Sequence, residues 1–282
     1  FDETLPTNYL ADEVIDDNKV NELLAKKYNE TIVIAEDDSE ILAYLKDELS
    51  TNFRVIAVNN GYDAVKAVMD DEVSLILSDV LMPALNGFQL CSNIKSNIAT
   101  CHIPIVLLTA LSDDNQRIYG IAEGADEYIH KPFNMQYVRL KIIRIIEERK
   151  RLASTFAQKF GRLTRHEAAN LPCVDDVFRD KLFNLIEAQH SDSNFKIELM
   201  SDMLGMSRIL LYRKITSIFG MSPSDLLRNY RLQKAVQLLT DQRRNVSEVA
   251  YIVGFSSPAY FAKCFKSVYN MTPTEYMYRT RE

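Results

Sequence analysis

The chain has 282 residues, of which 33 are Lys or Arg and 39 are Asp or Glu, so its formal net charge is −6 at pH 7. Hydrophobic residues make up 47%, enough for a full buried core, and the length is typical of about two domains. With eight Gly and eight Pro, the composition excludes a collagen-like or low-complexity chain. No stretch approaches the roughly 20 apolar residues of a membrane span, and no secretory signal is visible, so we expect a cytoplasmic protein.

The net charge is an average over two unlike halves. Residues 1–150 carry 14 basic and 26 acidic side chains, a net −12, whereas residues 151–282 carry 19 and 13, a net +6. Opposite charges predict different tasks for the two halves. The four Cys are widely spaced and the four His lack metal-ligand spacing, so we expect reduced thiols and no zinc site.

The acidic half predicts a sheet with helices on both faces. Residues 1–30 are acidic without a clear period and are expected to form a tether; the Phe at position 1 suggests a fragment of a longer protein. Strands are predicted at 31–35, 53–57, 74–78, 105–108 and 126–129, and helices near 39–50, 61–71, 86–97, 113–123 and 134–150. This alternation predicts an α/β doubly wound, five-stranded parallel sheet, in which ligands bind at the carboxyl ends of the strands.

Polar side chains follow four of these strands. Glu36 and Asp37 come after the first strand, Asp79 after the third, Thr109 after the fourth and Lys131 after the fifth. Clustered carboxylates are unfavourable unless neutralised, and Mg²⁺ neutralises them while leaving room for a phosphate. Singly, an acid after a strand is often a helix N-cap, and a lone Lys is usually solvated. The complete set favours a phosphate-accepting carboxylate pocket.

The same segments resemble the receiver domain of two-component response regulators over about 31–150. The matching segments, in the family's order and spacing, are Ile34-Ala35-Glu36-Asp37-Asp38, Leu77-Ser78-Asp79-Val80-Leu81-Met82-Pro83, Asn86-Gly87-Phe88, Leu108-Thr109-Ala110 and Lys131-Pro132-Phe133. The resemblance implies a flavodoxin-like fold in which Asp79 accepts a phosphoryl group from a phosphohistidine.

The resemblance also implies roles for the surrounding residues. Thr109 and Lys131 would contact the phosphoryl oxygens, and Tyr128 occupies the position of the family's switch aromatic residue. The implied Mg²⁺ ligands are Glu36, Asp37, Asp79 and the carbonyl of Leu81. Neither Gly-x-x-x-x-Gly-Lys nor Gly-x-Gly-x-x-Gly occurs in the chain, so the phosphoryl group must come from another module. We therefore expect that this chain is not an enzyme, although a longer parent chain could hold a kinase module.

The basic half predicts an all-α domain with an internal repeat. We assign residues 151–177 to a helical connector and 178–282 to the domain. Residues 200–207 correspond to 249–256 at an offset of 49, and residues 221–225 correspond to 271–275 at an offset of 50. Each copy has a Gly-hydrophobic-Ser turn, in which Gly permits the tight turn and Ser207 or Ser256 can cap the next helix. This pattern is typical of two helix-turn-helix units.

The second helix of each unit can enter the major groove of DNA. These helices are predicted at about 208–219 and 257–268, with the core side chains Leu211, Ile215, Phe261 and Phe265. The candidate DNA contacts are Arg208, Ile209, Tyr212, Arg213 and Lys214 in the first, and Ser257, Pro258, Ala259 and Lys263 in the second. A helical bundle with a solvated basic face is the plain alternative, but the +6 charge favours DNA.

This half is similar to the DNA-binding domain of the AraC/XylS family. The matching segments are Leu204-Gly205-Met206-Ser207-Arg208, Leu211-Tyr212-Arg213-Lys214, Gly254-Phe255-Ser256, Tyr260-Phe261, Phe265-Lys266 and Thr272-Pro273-Thr274-Glu275-Tyr276. The resemblance implies seven helices and two recognition helices that read adjacent major-groove segments about 34 Å apart.

Together the two resemblances look like the output end of a hybrid two-component regulator, which could be the cytoplasmic end of a membrane-bound hybrid sensor. The hypothesis is a transcription regulator in which phosphorylation of Asp79 controls dimerisation and binding to double-stranded DNA. The expected partners are a histidine kinase or phosphohistidine module, a second copy of the receiver, and RNA polymerase. The alternatives are a phosphorelay or phosphate-sink adaptor whose helical half binds protein, and, least favoured, a phosphorylation-controlled enzyme.

Overall fold

The computed structural model describes residues 17–109, 124–160, 175–241 and 244–279. Its first part contains five strands, each starting within one residue of the predicted position: β1 (Thr31–Ala35), β2 (Arg54–Val58), β3 (Leu75–Asp79), β4 (Ile105–Thr109) and β5 (Glu127–His130). They form one parallel sheet in the order β2-β1-β3-β4-β5. The predicted flavodoxin-like α/β sheet is confirmed.

Helices cover both faces of this sheet. They are α1 (Asp17–Ala25), α2 (Ser39–Ser50), α3 (Gly61–Asp70), α4 (Gly87–Ser96) and α5 (Met135–Phe160). Alternate β1 side chains enter different cores: Ile32 and Ile34 pack with α1, α2 and α5, whereas Val33 and Ala35 pack with α3 and α4. This explains why the strands read as continuous apolar runs. The helix predicted at 113–123 lies outside the described residues.

Residues 17–30 pack against the core of the sheet and so do not form the predicted tether. They include α1, whose Leu23 and Leu24 pack against the core beside α2 and α5. The Asn52 side chain donates hydrogen bonds of 2.8 Å to the carbonyls of Leu24 and Lys26, and Lys26 forms a 3.2 Å ion pair with Glu147. Two adjacent leucines and a distant amide hold the segment in place. Neither the pair of leucines nor the distant amide produces a helical period in the sequence. The sequence pattern therefore did not indicate that α1 packs on the sheet.

α5 connects the two halves without a break. At 1.5 Å per residue its 26 residues extend about 39 Å. Val138 and Ile142 pack on the sheet, whereas Phe156 and Phe160 belong to the core of the helical half. The predicted boundary at residue 150 therefore falls inside a helix, because its apolar stripe changes partners there rather than ending. Of the predicted connector, residues 151–160 are helix and 161–174 lie outside the described residues.

The helical half contains seven described helices, the number that the AraC/XylS resemblance implies. They are α6 (Asp176–Gln189), α7 (Ile197–Leu204), α8 (Arg208–Phe219), α9 (Pro223–Thr240), α10 (Val246–Ile252), α11 (Pro258–Tyr269) and α12 (Pro273–Arg279). α9 joins two cores, with Leu226 and Tyr230 in the first and Leu232 and Leu239 in the second. No described helix is both long and apolar enough to span a membrane.

Candidate functional site

Three carboxylates meet at the carboxyl edge of the sheet. Because β1 and β3 pair directly and run parallel, the residues that follow them emerge side by side. Glu36, Asp37 and Asp79 offer oxygens that all lie within 4.8 Å of one another. Asp38 does not share this role, because its side chain caps α2. The structure thus brings together the acids that the sequence selected and separates the one that serves as a helix cap.

Lys131 lies between the two most buried of these acids. Glu36 is 1% exposed and Asp79 is 6% exposed, whereas Asp37 is exposed. The Lys131 ammonium lies 2.7 Å from Oε2 of Glu36 and 2.9 Å from Oδ1 of Asp79. Burial raises the pKa of Glu36, opposed by the hydrogen bond from Lys131. Burial alone would lower the pKa of Lys131, but its bonds to Glu36 and Asp79 raise it. The ammonium therefore remains charged and offsets the two buried acids.

The backbone around Asp79 is fixed by close packing. A Cβ at Gly87 would lie 2.3 Å from the carbonyl oxygen of Asp79, so only glycine lets α4 start against that strand end. The Gly87 amide donates a 3.0 Å hydrogen bond to the carbonyl of Val80. Asn86 caps α4 in a capping box with Gln89. These contacts hold the loop after Asp79 and explain the Asn-Gly pair noted in the sequence.

Thr109 and Tyr128 lie on the two strands beyond β3. Thr109 is buried at the end of β4, where its carbonyl accepts a 2.7 Å hydrogen bond from the Lys131 amide. Tyr128 pairs with Leu107 and packs on the α3 and α4 side of the sheet. Leu81 lies two residues beyond Asp79 with an exposed side chain. The carboxyl ends of β3, β4 and β5 thus adjoin, while the contact roles of these residues stay predictions.

The residues of the pocket fit a divalent cation. Hard cations such as Mg²⁺ prefer carboxylate oxygens, and three are gathered here. Two of them, on Glu36 and Asp79, are buried, and the single ammonium of Lys131 that contacts both can offset only one negative charge. The three carboxylates would hold such an ion, which would supply further positive charge beside Lys131. The Leu81 carbonyl remains a predicted ligand.

Both helix-turn-helix units have the predicted turn. Gly205 and Gly254 adopt positive φ values of 67° and 92°. Ser207 caps α8, accepting a hydrogen bond from the amide at the third helical position, as predicted. In the second unit Ser257, and not the predicted Ser256, caps α11. The single inserted residue of the second copy therefore lies in the turn.

This cap changes the alignment of the two recognition helices. α8 and α11 start and end 50 residues apart, so Arg213 corresponds to Lys263 and Lys214 corresponds to Cys264. Cys264 is buried in the second core. When the two copies of the repeat are aligned at an offset of 50 instead of 49, position 214 matches a core position. The sequence alone therefore held a signal that Lys214 is buried.

The position of Lys214 contradicts its prediction as a DNA contact. Its side chain is 0% exposed and forms a 2.6 Å ion pair with Asp175, so in this arrangement it cannot reach DNA. Lys214 lies three residues after the core side chain Leu211, which places it on the inner side of α8. Arg213 donates hydrogen bonds to the backbone carbonyls of Met69 and Asp70 at the end of α3, at 3.4 and 2.9 Å. Neither side chain is therefore free for DNA in this structure.

The other candidates on α8 face outward. Ile209 and Tyr212 are 63% and 49% exposed. Arg208 is also exposed and forms a 3.3 Å ion pair with Glu198. Leu211 is fully buried, as expected for the core side of the helix.

The second recognition helix presents a small, weakly charged face. Ala259 and Lys263 are exposed, and Ser257 and Pro258 are half-buried. Phe261 and Phe265 are buried, as predicted. The exposed Tyr260 was absent from the predicted contacts, although it lies three residues before Lys263 and so shares its helix face.

Comparisons with known proteins agree with this two-part architecture. Residues 32–143 match the response regulator receiver domain family, and residues 200–279 match a helix-turn-helix domain family. The chain is 37% identical over 280 residues to histidine kinase P4 of Formosa agariphila, covering 99% of this chain and 20% of that protein. It is 38% identical over 113 residues to the transcriptional regulatory protein GltR of Pseudomonas aeruginosa, covering 40% of this chain and 47% of that protein.

Solved structures include a receiver domain of a signal transduction histidine kinase from Syntrophus aciditrophicus. It is 34% identical, with a TM-score of 0.42, covering 43% of this chain and 93% of that one. The chain thus spans a fifth of the length of one curated relative and about half of the other. By its domain matches, the chain carries a response regulator receiver domain followed by an AraC-type helix-turn-helix domain.

Proposed function

We propose that the chain is a transcription regulator whose binding to double-stranded DNA is controlled by phosphorylation of Asp79. The observation that carries the proposal is the pocket itself. Three carboxylates lie within 4.8 Å of one another and Lys131 contacts two of them, on the same chain as two capped helix-turn-helix units. The first half receives the signal and the second half reads DNA.

The proposed chemistry is a phosphoryl transfer to a carboxylate. An Asp79 oxygen attacks the phosphorus of a phosphohistidine, the new O–P bond forms, the P–N bond breaks, and the imidazole leaves and takes up a proton. Mg²⁺, when bound by Glu36, Asp37, Asp79 and the Leu81 carbonyl, supplies charge neutralisation. Lys131 exchanges its bond to Asp79 for one to a phosphoryl oxygen, and the Thr109 hydroxyl donates to another. The loop fixed by Gly87 positions the nucleophile.

The proposed output is double recognition of DNA. Arg208, Ile209 and Tyr212 present one reading face on α8, and Ala259 and Lys263 present a second on α11. α9 joins the cores behind the two helices, which supports binding to adjacent major-groove segments about one helical turn apart. A repacked Tyr128 would favour pairing of two receivers and bring two such readers to tandem sites.

The match to a fifth of a much longer histidine kinase supports a hybrid parent chain. In such a chain a kinase module supplies the phosphohistidine, and the present chain forms the output end without catalytic activity toward a substrate of its own. A chain that binds DNA and receives a phosphoryl group from such a module would act in the cytoplasm, where the DNA-bound form would contact RNA polymerase.

Footprinting tests the proposal. Duplexes enriched from a random pool are probed with wild type and Asp79→Asn, each with and without a small phosphodonor. We expect stronger protection by phosphorylated wild type and no response to the donor in Asp79→Asn. Equal protection in all four samples removes phosphorylation from the function, and DNA binding by none of them favours the adaptor alternative.

A further inference from the structure

The two recognition helices begin with the same arrangement. Ser207 caps α8 and Ser257 caps α11, so Ile209 and Ala259 each occupy the second position of a recognition helix. Both side chains are exposed. Because the first residues of a recognition helix contact the base edges in the major groove, the two units present an apolar side chain at equivalent reading positions.

The side chains around these two positions offer few hydrogen bonds to bases. Residues 208–213 and 258–263 contain no Asn, Gln, Asp or Glu, the residue types that pair with adenine and cytosine in the major groove. The exposed rings of Tyr212 and Tyr260 extend the surface with aromatic carbon. On α8, Tyr212 lies three residues after Ile209 and so shares its helix face. Such a surface gains little from the polar edges of base pairs.

The cations beside this surface are suited to the phosphates. Arg208, at the first position of α8, forms an exposed ion pair with Glu198 at 3.3 Å. Lys263 is exposed about one turn after Ala259 on α11. Contacts from Arg and Lys to phosphate oxygens fix the position of a helix on the duplex without distinguishing between bases. The choice of base is therefore left to the apolar positions.

Thymine is the base that an apolar reading position favours. It carries a methyl group in the major groove, and contact with an apolar side chain removes that group from water. A G·C pair at the same place would bring polar atoms of guanine or cytosine against a side chain that cannot pair with them, and these atoms would lose their hydrogen bonds to water. Burial of one methyl group corresponds to a change in affinity of about fourfold.

We propose that Ile209 and Ala259 select thymine, through its methyl group, at two places in the DNA about one helical turn apart. The inference rests on the proposed DNA-binding function and names the class of sequence that the two units recognise. The cations hold each helix on the phosphates, and the apolar side chains determine which base lies beneath its first turn.

The test compares two forms of one duplex enriched from a random pool. The first form contains thymine, and the second contains deoxyuridine, which removes the methyl group and keeps every hydrogen-bonding edge. Deoxyuridine is introduced at all thymines and then at one thymine at a time. The proteins are full-length wild type, Ile209→Ala and the matched control Val177→Ala, each with phosphodonor and Mg²⁺. Val177 is also an exposed aliphatic residue at the second position of its helix, α6, outside both helix-turn-helix units.

Complete replacement should lower the affinity of wild type and Val177→Ala about 10-fold, and single replacements about fourfold, at two groups of thymines about one helical turn apart. Ile209→Ala should remove the response at one of these two groups. Equal affinity for the thymine and deoxyuridine forms overturns the inference, as expected if the cations read guanine instead. A response that Ile209→Ala leaves unchanged also overturns it. Absence of binding to either form by every protein contradicts the proposed function itself.

Discussion

Replacing Lys214 by methionine is expected to destabilise the helical half by about 3 kcal/mol, because it leaves Asp175 partly buried without its cation. Methionine conserves most of the side-chain volume, so the loss is electrostatic rather than a cavity. The figure lies at the lower end of the range for a broken buried pair, since Asp175 keeps the Phe178 amide at 2.8 Å and the Cys101 thiol at 3.0 Å. The lost cation–π contact of Lys214 with Phe178, at 4.6 Å, adds to the effect.

Urea unfolding followed by far-UV circular dichroism measures this change. The loss of unfolding free energy in the double variant Lys214→Met/Asp175→Asn should be about 2 kcal/mol smaller than the sum of the losses in the two single variants. In the double variant neither position 214 nor position 175 carries a charge, so no buried charge is left unpaired. Arg151→Met, which breaks an exposed ion pair with Glu148, is the control and should leave the midpoint unchanged. If the losses of the two single variants simply add in the double variant, Lys214 and Asp175 are not coupled as an ion pair.

The same pair predicts a pH dependence. Burial alone would raise the pKa of Asp175, but hydrogen bonds from Cys101 and Lys214 hold the pKa below its ordinary value. A carboxyl with a depressed folded pKa contributes stability that is present above its unfolded pKa and lost as the pH falls through the folded pKa. The stability difference between wild type and Lys214→Met should therefore narrow in acid, as Asp175 becomes protonated. A constant difference would contradict the ion pair.

Three further predictions concern the two sites. Gly87→Ala should slow phosphodonor-dependent labelling of Asp79, since its Cβ would lie 2.3 Å from that residue's carbonyl; an unchanged rate would count against the tight loop. Burial raises the pKa of Glu36, so as the pH is lowered this carboxylate takes up a proton at a pH above the ordinary Glu pKa. The affinity for Mg²⁺, measured by calorimetry, should begin to fall at that pH. Glu36→Gln should remove this early loss of affinity. Lys263→Ala should reduce the salt slope of DNA binding by about 1, whereas the exposed receiver variant Lys66→Ala should not; equal slopes would place α11 outside the interface.

The carboxylate pocket could be predicted because it depends on topology. The alternation of five strands with helices predicts that Glu36 and Asp79 follow parallel strands and so lie at the same edge of the sheet, whereas the direct pairing of β1 with β3 is known from the structure. Lys131 was predicted at the same edge as a contact for a phosphoryl group, and its bridging of Glu36 and Asp79 is seen only in the structure. The distances and burial did not follow, since they depend on how far each loop turns.

The errors arise where local pattern and tertiary contact differ. Lys214 looked like a DNA contact because a basic residue near exposed positions reads as surface, and the repeat was aligned one residue short at the turn. α1 looked like a tether because its docking depends on Leu23, Leu24 and the distant Asn52. The docking of Arg213 on α3 joins residues 143 and 144 positions apart, and no local signal reports such a contact.

Control of DNA binding by Asp79 is tested most directly by measuring phosphorylation and DNA affinity on the same sample. Full-length wild type and Asp79→Asn are treated with a phosphodonor and Mg²⁺, the phosphate bound per chain is quantified, and each sample is titrated with the enriched duplex. We expect the affinity for DNA to rise in proportion to the phosphate on wild type and to stay constant for Asp79→Asn. A wild-type chain that is fully phosphorylated yet binds DNA no more tightly than before would contradict it.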